Sequence, residues 1–144
     1  MKAEEVIIDA VIEASRKLPL EAVKALEKAS AEENGNGKVV LNAILDNLAL
    51  AEKLEIPLCQ DTGMMWCWAE IGRNARLDIV KLEKLINSSL SKAFKKGLFR
   101  TSVVSDVMGE RKNTGDNLPA VINYSLTSGS DITLHFLLKG FGSE

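Results

Sequence analysis

Near residue 98 the spacing of apolar residues changes from helical to alternating, and this change divides the chain into two kinds of structure. Upstream of it, Asp78 precedes Ile79, Leu82, Ile86, Leu90 and Phe94, one apolar stripe that ends at Gly97. Residues three or four apart share a helix face, so the run predicts a helix with Asp78 as N-cap and Gly97 as C-cap. Downstream, Ile122, Tyr124 and Leu126 alternate with Asn123 and Ser125; after "TSGSD", Ile132, Leu134, Phe136 and Leu138 alternate with Thr133 and His135. A period of two turns one side of each strand inward, and the pair predicts an antiparallel hairpin with one buried face.

The first third is helical by the same reasoning. Val6, Ile7, Ala10, Val11 and Ala14 recur at helical spacing from Ala3 to about Arg16, and Pro19 ends the pattern. That proline suits the first turn of a second helix, which carries Val23 and Leu26 inward. "EENGNG", Glu32 to Gly37, predicts a loop. A third helix from Lys38 to about Leu54 is apolar around much of its circumference (Val40, Ile44, Leu45, Leu48), which predicts that it is the most buried of the helices. "MMWCWAEIG" predicts a strand ending at Gly72. Helices followed by strands, without a repeating βαβ rhythm, predict an α+β fold: a helical part, then a small antiparallel sheet with a C-terminal hairpin.

A length of 144 residues suits one domain with a single core. Composition narrows the function classes. With 46% hydrophobic residues, 26% charged residues and a net charge of -2, the chain lacks the basic excess of a nucleic-acid binder. No run is long enough to span a bilayer, and the N-terminus has acids among its apolar residues rather than a secretory core, so the expected compartment is the cytoplasm. In that setting Cys59 and Cys67 read as reduced thiols or metal ligands rather than a disulfide.

The two thiols differ in their neighbours. Cys67, between Trp66 and Trp68, has the surroundings of a core residue. Cys59 lies in "PLCQDTG", followed by Gln60, Asp61, Thr62 and Gly63, a polar turn-forming run in which a purely structural thiol gains little. Their spacing matches neither CxxC nor a zinc pattern. A second polar, turn-rich stretch, "FRTSVVSDVMGERKNTGDNLPAVIN", carries Arg100, Arg111 and Lys112, cations able to hold carboxylates, although most surface charges simply face water. "KGFGSE" ends the chain with Gly140 and Gly142, where a backbone can approach a ligand closely. His135, the sole histidine, falls on the polar series of its strand and reads as a surface residue.

Taken together, "PLCQDTG", "RTSVVSDVMGERKNTGDNLPA" and "KGFGS" stand in the order and spacing of the class I, iron-sulfur fumarate hydratases and the related L(+)-tartrate dehydratases. The chain resembles the N-terminal part of their α subunit throughout residues 1–144, and it stops inside the glycine-rich motif, as a truncated chain would. The resemblance implies a 4Fe-4S cluster held by three cysteines, with an open iron acting as Lewis acid on the substrate. Carried over residue by residue, it implies Cys59 as a cluster ligand and Gln60, Asp61, Arg100 and Gly142 as substrate-binding positions. It also implies a dicarboxylate substrate (fumarate or malate), a fumarase β subunit that supplies the base, and further association into a homo-oligomer. The other two cluster cysteines are expected beyond Glu144, so the chain alone is expected to hold no intact cluster and to be inactive. L(+)-tartrate as substrate and a non-catalytic assembly module with a structural Cys59 are the alternative readings.

Overall fold

The computed structural model describes residues 2–140; Gly142 lies outside the described residues. Four helices and three strands run in the order α1 (Ala3–Arg16), α2 (Leu20–Glu32), α3 (Gly35–Leu54), β1 (Met64–Gly72), α4 (Ile79–Lys96), β2 (Val121–Thr127) and β3 (Ile132–Lys139). Helices precede a small sheet, and the fold is α+β.

Helix α4 forms as its sequence dictates. Asp78 accepts a hydrogen bond from the Lys81 N–H (3.1 Å), Gly97 follows the last turn, and Leu82, Ile86, Leu90 and Phe94 are buried, joined by Ser89 and Ala93. Helix α1 turns Ile7, Val11, Ile12 and Ser15 inward. Val6, Ala10 and Ala14 from the expected stripe stay exposed, because the α1 contact centres on the Ile7–Val11 line. The two helices lie against each other, with Lys92 and Lys96 of α4 reaching Glu4 (2.6 Å) and Asp9 (3.3 Å) of α1 at the rim.

The sheet corrects the expected hairpin. Strand order is β2-β1-β3, with β1 parallel to β2 and antiparallel to β3. β2 and β3 are therefore not hydrogen-bonded to each other, and the small sheet is mixed rather than antiparallel. The "TSGSD" segment instead wraps the end of β1: Gly72 N–H donates to the Asp131 carbonyl (2.8 Å), Arg73 N–H to Thr127 (2.9 Å) and Asn74 N–H to Gly129 (3.0 Å). Alternation specifies which face of a strand is buried but not which strand lies beside it. The central place goes to β1, whose Met65, Cys67, Ala69 and Ile71 are all buried. These side chains merge with those of α1 and α4 in one core.

Helix α3 is a second correction. It starts at Gly35 after an Asn34 cap, so the expected loop shrinks to two residues between helices. Far from being the most buried helix, it buries only Ala51, while Val40 is 59% and Leu50 51% exposed. The inner face of the sheet is already covered by α1 and α4, and α3 packs mainly on α2, where Ser30 Oγ donates to Asn42 Oδ1 (2.6 Å). No helix among the described residues is long and apolar enough to cross a membrane.

Candidate functional site

The Pro57–Gly63 loop joins α3 to β1, and its entrance is pinned from two sides. The Leu58 N–H donates to the Ser15 carbonyl at the end of α1 (2.8 Å), and Asn47 Nδ2 of α3 donates to the Leu58 carbonyl (2.9 Å). At the exit, Asp61 Oδ1 accepts from the Gly63 N–H (3.2 Å), an Asx turn of the kind a short acidic side chain forms with its own backbone. Cys59 and Gln60 stand exposed between these anchors.

Gly63 fixes the neighbour of the loop. Its φ of +64° is the left-handed conformation that glycine adopts without strain, and a Cβ there would fall on the Lys139 carbonyl. The end of β3, paired to Met64 through Lys139, therefore lies against the loop. Lys139, the first residue of the "KGFGS" motif, is the last residue of β3, and Gly140 is the last described residue.

Arg100 reaches the loop from a different part of the chain. Phe99 is buried edge-on against Phe94, with ring centroids 5.1 Å apart, which anchors the chain after α4. The Arg100 N–H donates to Thr62 Oγ1 (3.2 Å), and the Arg100 carbonyl accepts from Asn117 Nδ2 (3.1 Å). Its side chain is at the surface. Beyond Arg100 the segment folds back on itself: Val104 bridges Asn113, the Ser105 N–H donates to the Lys112 carbonyl (2.8 Å) and the Thr114 N–H to Val103 (2.9 Å). Arg111 and Lys112 are exposed on the returning limb, away from the anchored base that carries Arg100.

A cavity of about 470 Å³ unites Cys59, Gln60, Thr62 and Arg100, with Asn47 and Ile56 among its walls. Asp61 instead lines an adjoining groove of about 580 Å³ that runs between α1 and the Phe136–Leu138 part of β3, and Cys59 and Thr62 border both. Three of the sequence-singled residues, Cys59, Gln60 and Arg100, thus share one cavity, and Asp61 faces the next. A wider crevice of about 650 Å³ along α1 is lined by charges that pair with one another, Lys17 with Glu13 and Glu52, Arg16 with Glu55, and Lys96 with Asp9.

The remaining candidates sit elsewhere. Cys67 is fully buried in the core, and burial pushes its thiol up to about 11. His135 stands on the open face of the sheet, its Nε2 3.5 Å from Glu70 Oε2. Among the described residues no three of His, Cys, Asp or Glu stand together in a way that could hold a metal. Of the two cysteines, Cys67 is enclosed and Cys59 is exposed, so Cys59 is the thiol whose surroundings would admit a metal as a single thiolate ligand. Thr62 and Asn117 were not legible as site residues. "NTGDNLP" signals a turn, but the partners of Asn117 lie up to 54 positions away.

Comparison with known proteins supplies the family. The model of the fumarate hydratase (fumerase) family matches residues 4–144. The chain belongs to that family. It is 33% identical over 149 residues to a Methanocaldococcus jannaschii protein provisionally named L(+)-tartrate dehydratase subunit alpha, covering 100% of this chain and 52% of the relative. A Geobacillus stearothermophilus protein provisionally named fumarate hydratase class I is 26% identical over 147 residues, 99% of this chain and 28% of the relative. The L(+)-tartrate dehydratase subunit alpha of Escherichia coli K12 is 26% identical over 144 residues, 98% of this chain and 47% of the relative. The chain thus spans about half the length of the relatives named as alpha subunits, and less of the class I relative.

Proposed function

We propose that this fumerase-family chain contributes the Cys59–Asp61 loop and Arg100 to the composite site of a hydro-lyase acting on a four-carbon dicarboxylate, with reversible hydration of fumarate to (S)-malate as the reaction. The observation that carries this reading is the single cavity shared by Cys59, Gln60 and Arg100. Dehydrating a 2-hydroxy acid removes a proton from one carbon and hydroxide from its neighbour, so the substrate must be held by its carboxylates while the two groups leave on opposite sides. Arg100 suits the holding role. Its guanidinium offers two parallel donors to a carboxylate, and its backbone is fixed at both ends, which sets the point from which the side chain departs. Gln60 adds a neutral donor and acceptor at the same rim. Asp61, held by the Gly63 N–H, presents a carboxylate at the border of the neighbouring groove, where it can meet a hydroxyl or a cation.

In this reading Cys59 supplies one thiolate to a 4Fe-4S cluster whose other ligands come from residues outside this chain, and a β subunit supplies the base and further cations. Two relatives are named as alpha subunits, which supports a multi-subunit enzyme. A second reading, with L(+)-tartrate as substrate, is favoured by the names of those same relatives, one of them at 33% identity.

The test is anaerobic cluster reconstitution of the complete enzyme, assayed with fumarate, (S)-malate and L(+)-tartrate beside Cys59→Ser and Arg100→Ala. Cys59→Ser is expected to lose iron and sulfide with turnover. Arg100→Ala is expected to raise KM by about 10- to 100-fold, the scale of about 1.5–3 kcal/mol for hydrogen bonds to charged groups. An assembled wild-type enzyme without a cluster, indifferent to both substitutions, would instead establish an assembly module.

A further inference from the structure

Asn117 is a fully buried polar residue at the base of the Arg100 segment, and the roles described so far leave it unused. Its backbone is left-handed, with φ of 54°, a conformation that asparagine tolerates better than most residues. Its side-chain amide is filled to capacity. Oδ1 accepts from the N–H groups of Ser102 (2.8 Å) and Val103 (3.0 Å), and Nδ2 donates to the carbonyls of Gly63 (2.7 Å) and Arg100 (3.1 Å). Two donors and two acceptor sites are all that an amide possesses. Its own N–H donates to Thr114 Oγ1 (3.0 Å), which holds the residue in the turn from which it reaches out.

These bonds join three segments that are distant in sequence. One carbonyl belongs to the end of the Cys59–Gly63 loop, one to Arg100 itself, and the two accepted N–H groups are those of Ser102 and Val103, beyond Thr101. Thr62, also buried, makes the second tie by accepting from the Arg100 N–H. Both peptide groups flanking the Arg100 Cα are therefore fixed, one by the loop that carries Cys59 and one by Asn117, which also grips that loop.

We infer that Asn117 is the positioning residue of the composite site, setting Arg100 against the Cys59–Gly63 loop so that the cation and the thiol face one cavity. The inference rests on the reading of Arg100 as the carboxylate-binding cation. A site built on loops keeps its geometry only when neighbouring hydrogen bonds lock it, and an offset of about 1 Å is enough to cost about 100-fold in rate. Asn117 acts on substrate only through Arg100 and the loop.

The experiment uses the complete enzyme with Asn117→Asp, which keeps the size and the two acceptor bonds but turns a carboxylate oxygen toward the Gly63 and Arg100 carbonyls. KM for (S)-malate or L(+)-tartrate, whichever is turned over, is expected to rise tenfold or more with a smaller change in kcat. In an Arg100→Ala background the same substitution is expected to add less than twofold, since coupled residues are not additive. Leu90→Ala, which truncates a fully buried side chain of α4 away from the site, serves as a destabilised control with unchanged KM. Hydrogen exchange of Asn117→Asp is expected to quicken jointly in residues 59–64 and 98–103, with α4 unaffected.

A KM that stays at the wild-type value in Asn117→Asp, or that rises equally with and without Arg100, overturns the positioning role. If Arg100→Ala itself leaves KM unchanged, the carboxylate reading fails, and with it the role assigned to Asn117 toward substrate. Hydrogen exchange then still decides the mechanical claim: joint quickening of the two segments sustains the latch, and its absence overturns it. If Asn117→Asp does not fold, Thr62→Val removes the second tie alone. A KM increase in Thr62→Val that vanishes in an Arg100→Ala background supports the coupling of Arg100 to the loop, and an unchanged KM, or an increase that persists without Arg100, refutes it.

Discussion

Replacing Gly63 by alanine probes the closest backbone approach in the site, and the structure separates its cost into two parts. The first is conformational: at φ of +64° an alanine in the left-handed region costs about 1–2 kcal/mol. The second is steric, because the new methyl falls on the Lys139 carbonyl and the end of β3 must move; overpacking of this kind costs about 1–3 kcal/mol. Together they come to about 2–5 kcal/mol, a large fraction of the stability of a typical domain. Gly115 supplies the control. Its φ is +84° and nothing lies within 4 Å of a Cβ placed there, so Gly115→Ala incurs only the first part. The entropy that alanine removes from the unfolded chain is the same in both variants and cancels. In urea, with m of about 2 kcal/mol/M, the midpoint of Gly63→Ala is expected to lie about 0.5–1.5 M below that of Gly115→Ala. Equal midpoints would refute the reasoning, because they would mean that the end of β3 does not press on the Cys59–Gly63 loop.

Two further predictions concern the core. Leu90→Ala on α4, at a fully buried position, is expected to cost about 2–5 kcal/mol by urea unfolding, and a loss under about 1 kcal/mol would contradict the packing described for α4. Cys67 is expected to resist thiol reagents in the native protein while Cys59 reacts, and it carries a pH dependence: with its pKa raised by burial from 9.0 to about 11, the folded chain keeps a proton that the unfolded chain releases, so stability falls as pH rises through that window, by about 3 kcal/mol in full. Urea midpoints at about pH 8.5 and 10.5, on either side of the unfolded thiol's pKa, check it, and a slope unchanged in Cys67→Ala would show that the thiol is not its source.

The elements that could be read from sequence are those whose information is local. α4 carries its cap, its stripe and its stop within 20 consecutive positions, Asp78 to Gly97, and the structure keeps all three. β1 was legible for the same reason, and its alternation is sharper in burial than in composition, with Met65, Cys67, Ala69 and Ile71 inside and Trp68 half-exposed on the open face. The Cys59–Gly63 loop stood out because its polar run is wrong for a buried thiol. What failed was competition between elements. Apolar residues around much of the α3 circumference say that the helix gains from cover, but the sheet has one inner face and α1 and α4 take it. The two C-terminal strands alternate as a hairpin would, yet β1 lies between them, and its inner residues are the ones fully enclosed while Leu134, Phe136 and Leu138 of β3 are only partly buried.

The sequence alone determined the helix and strand inventory, the α+β class and the family, since caps, periods and motifs are properties of neighbouring residues. Only the tertiary structure decided that Cys59, Gln60 and Arg100 share a cavity, that β3 ends against Gly63, and that Asn117 binds three segments together. Those facts depend on hydrogen bonds and steric contacts between residues up to 77 positions apart, Gly63 and Gly140, and no local pattern encodes them.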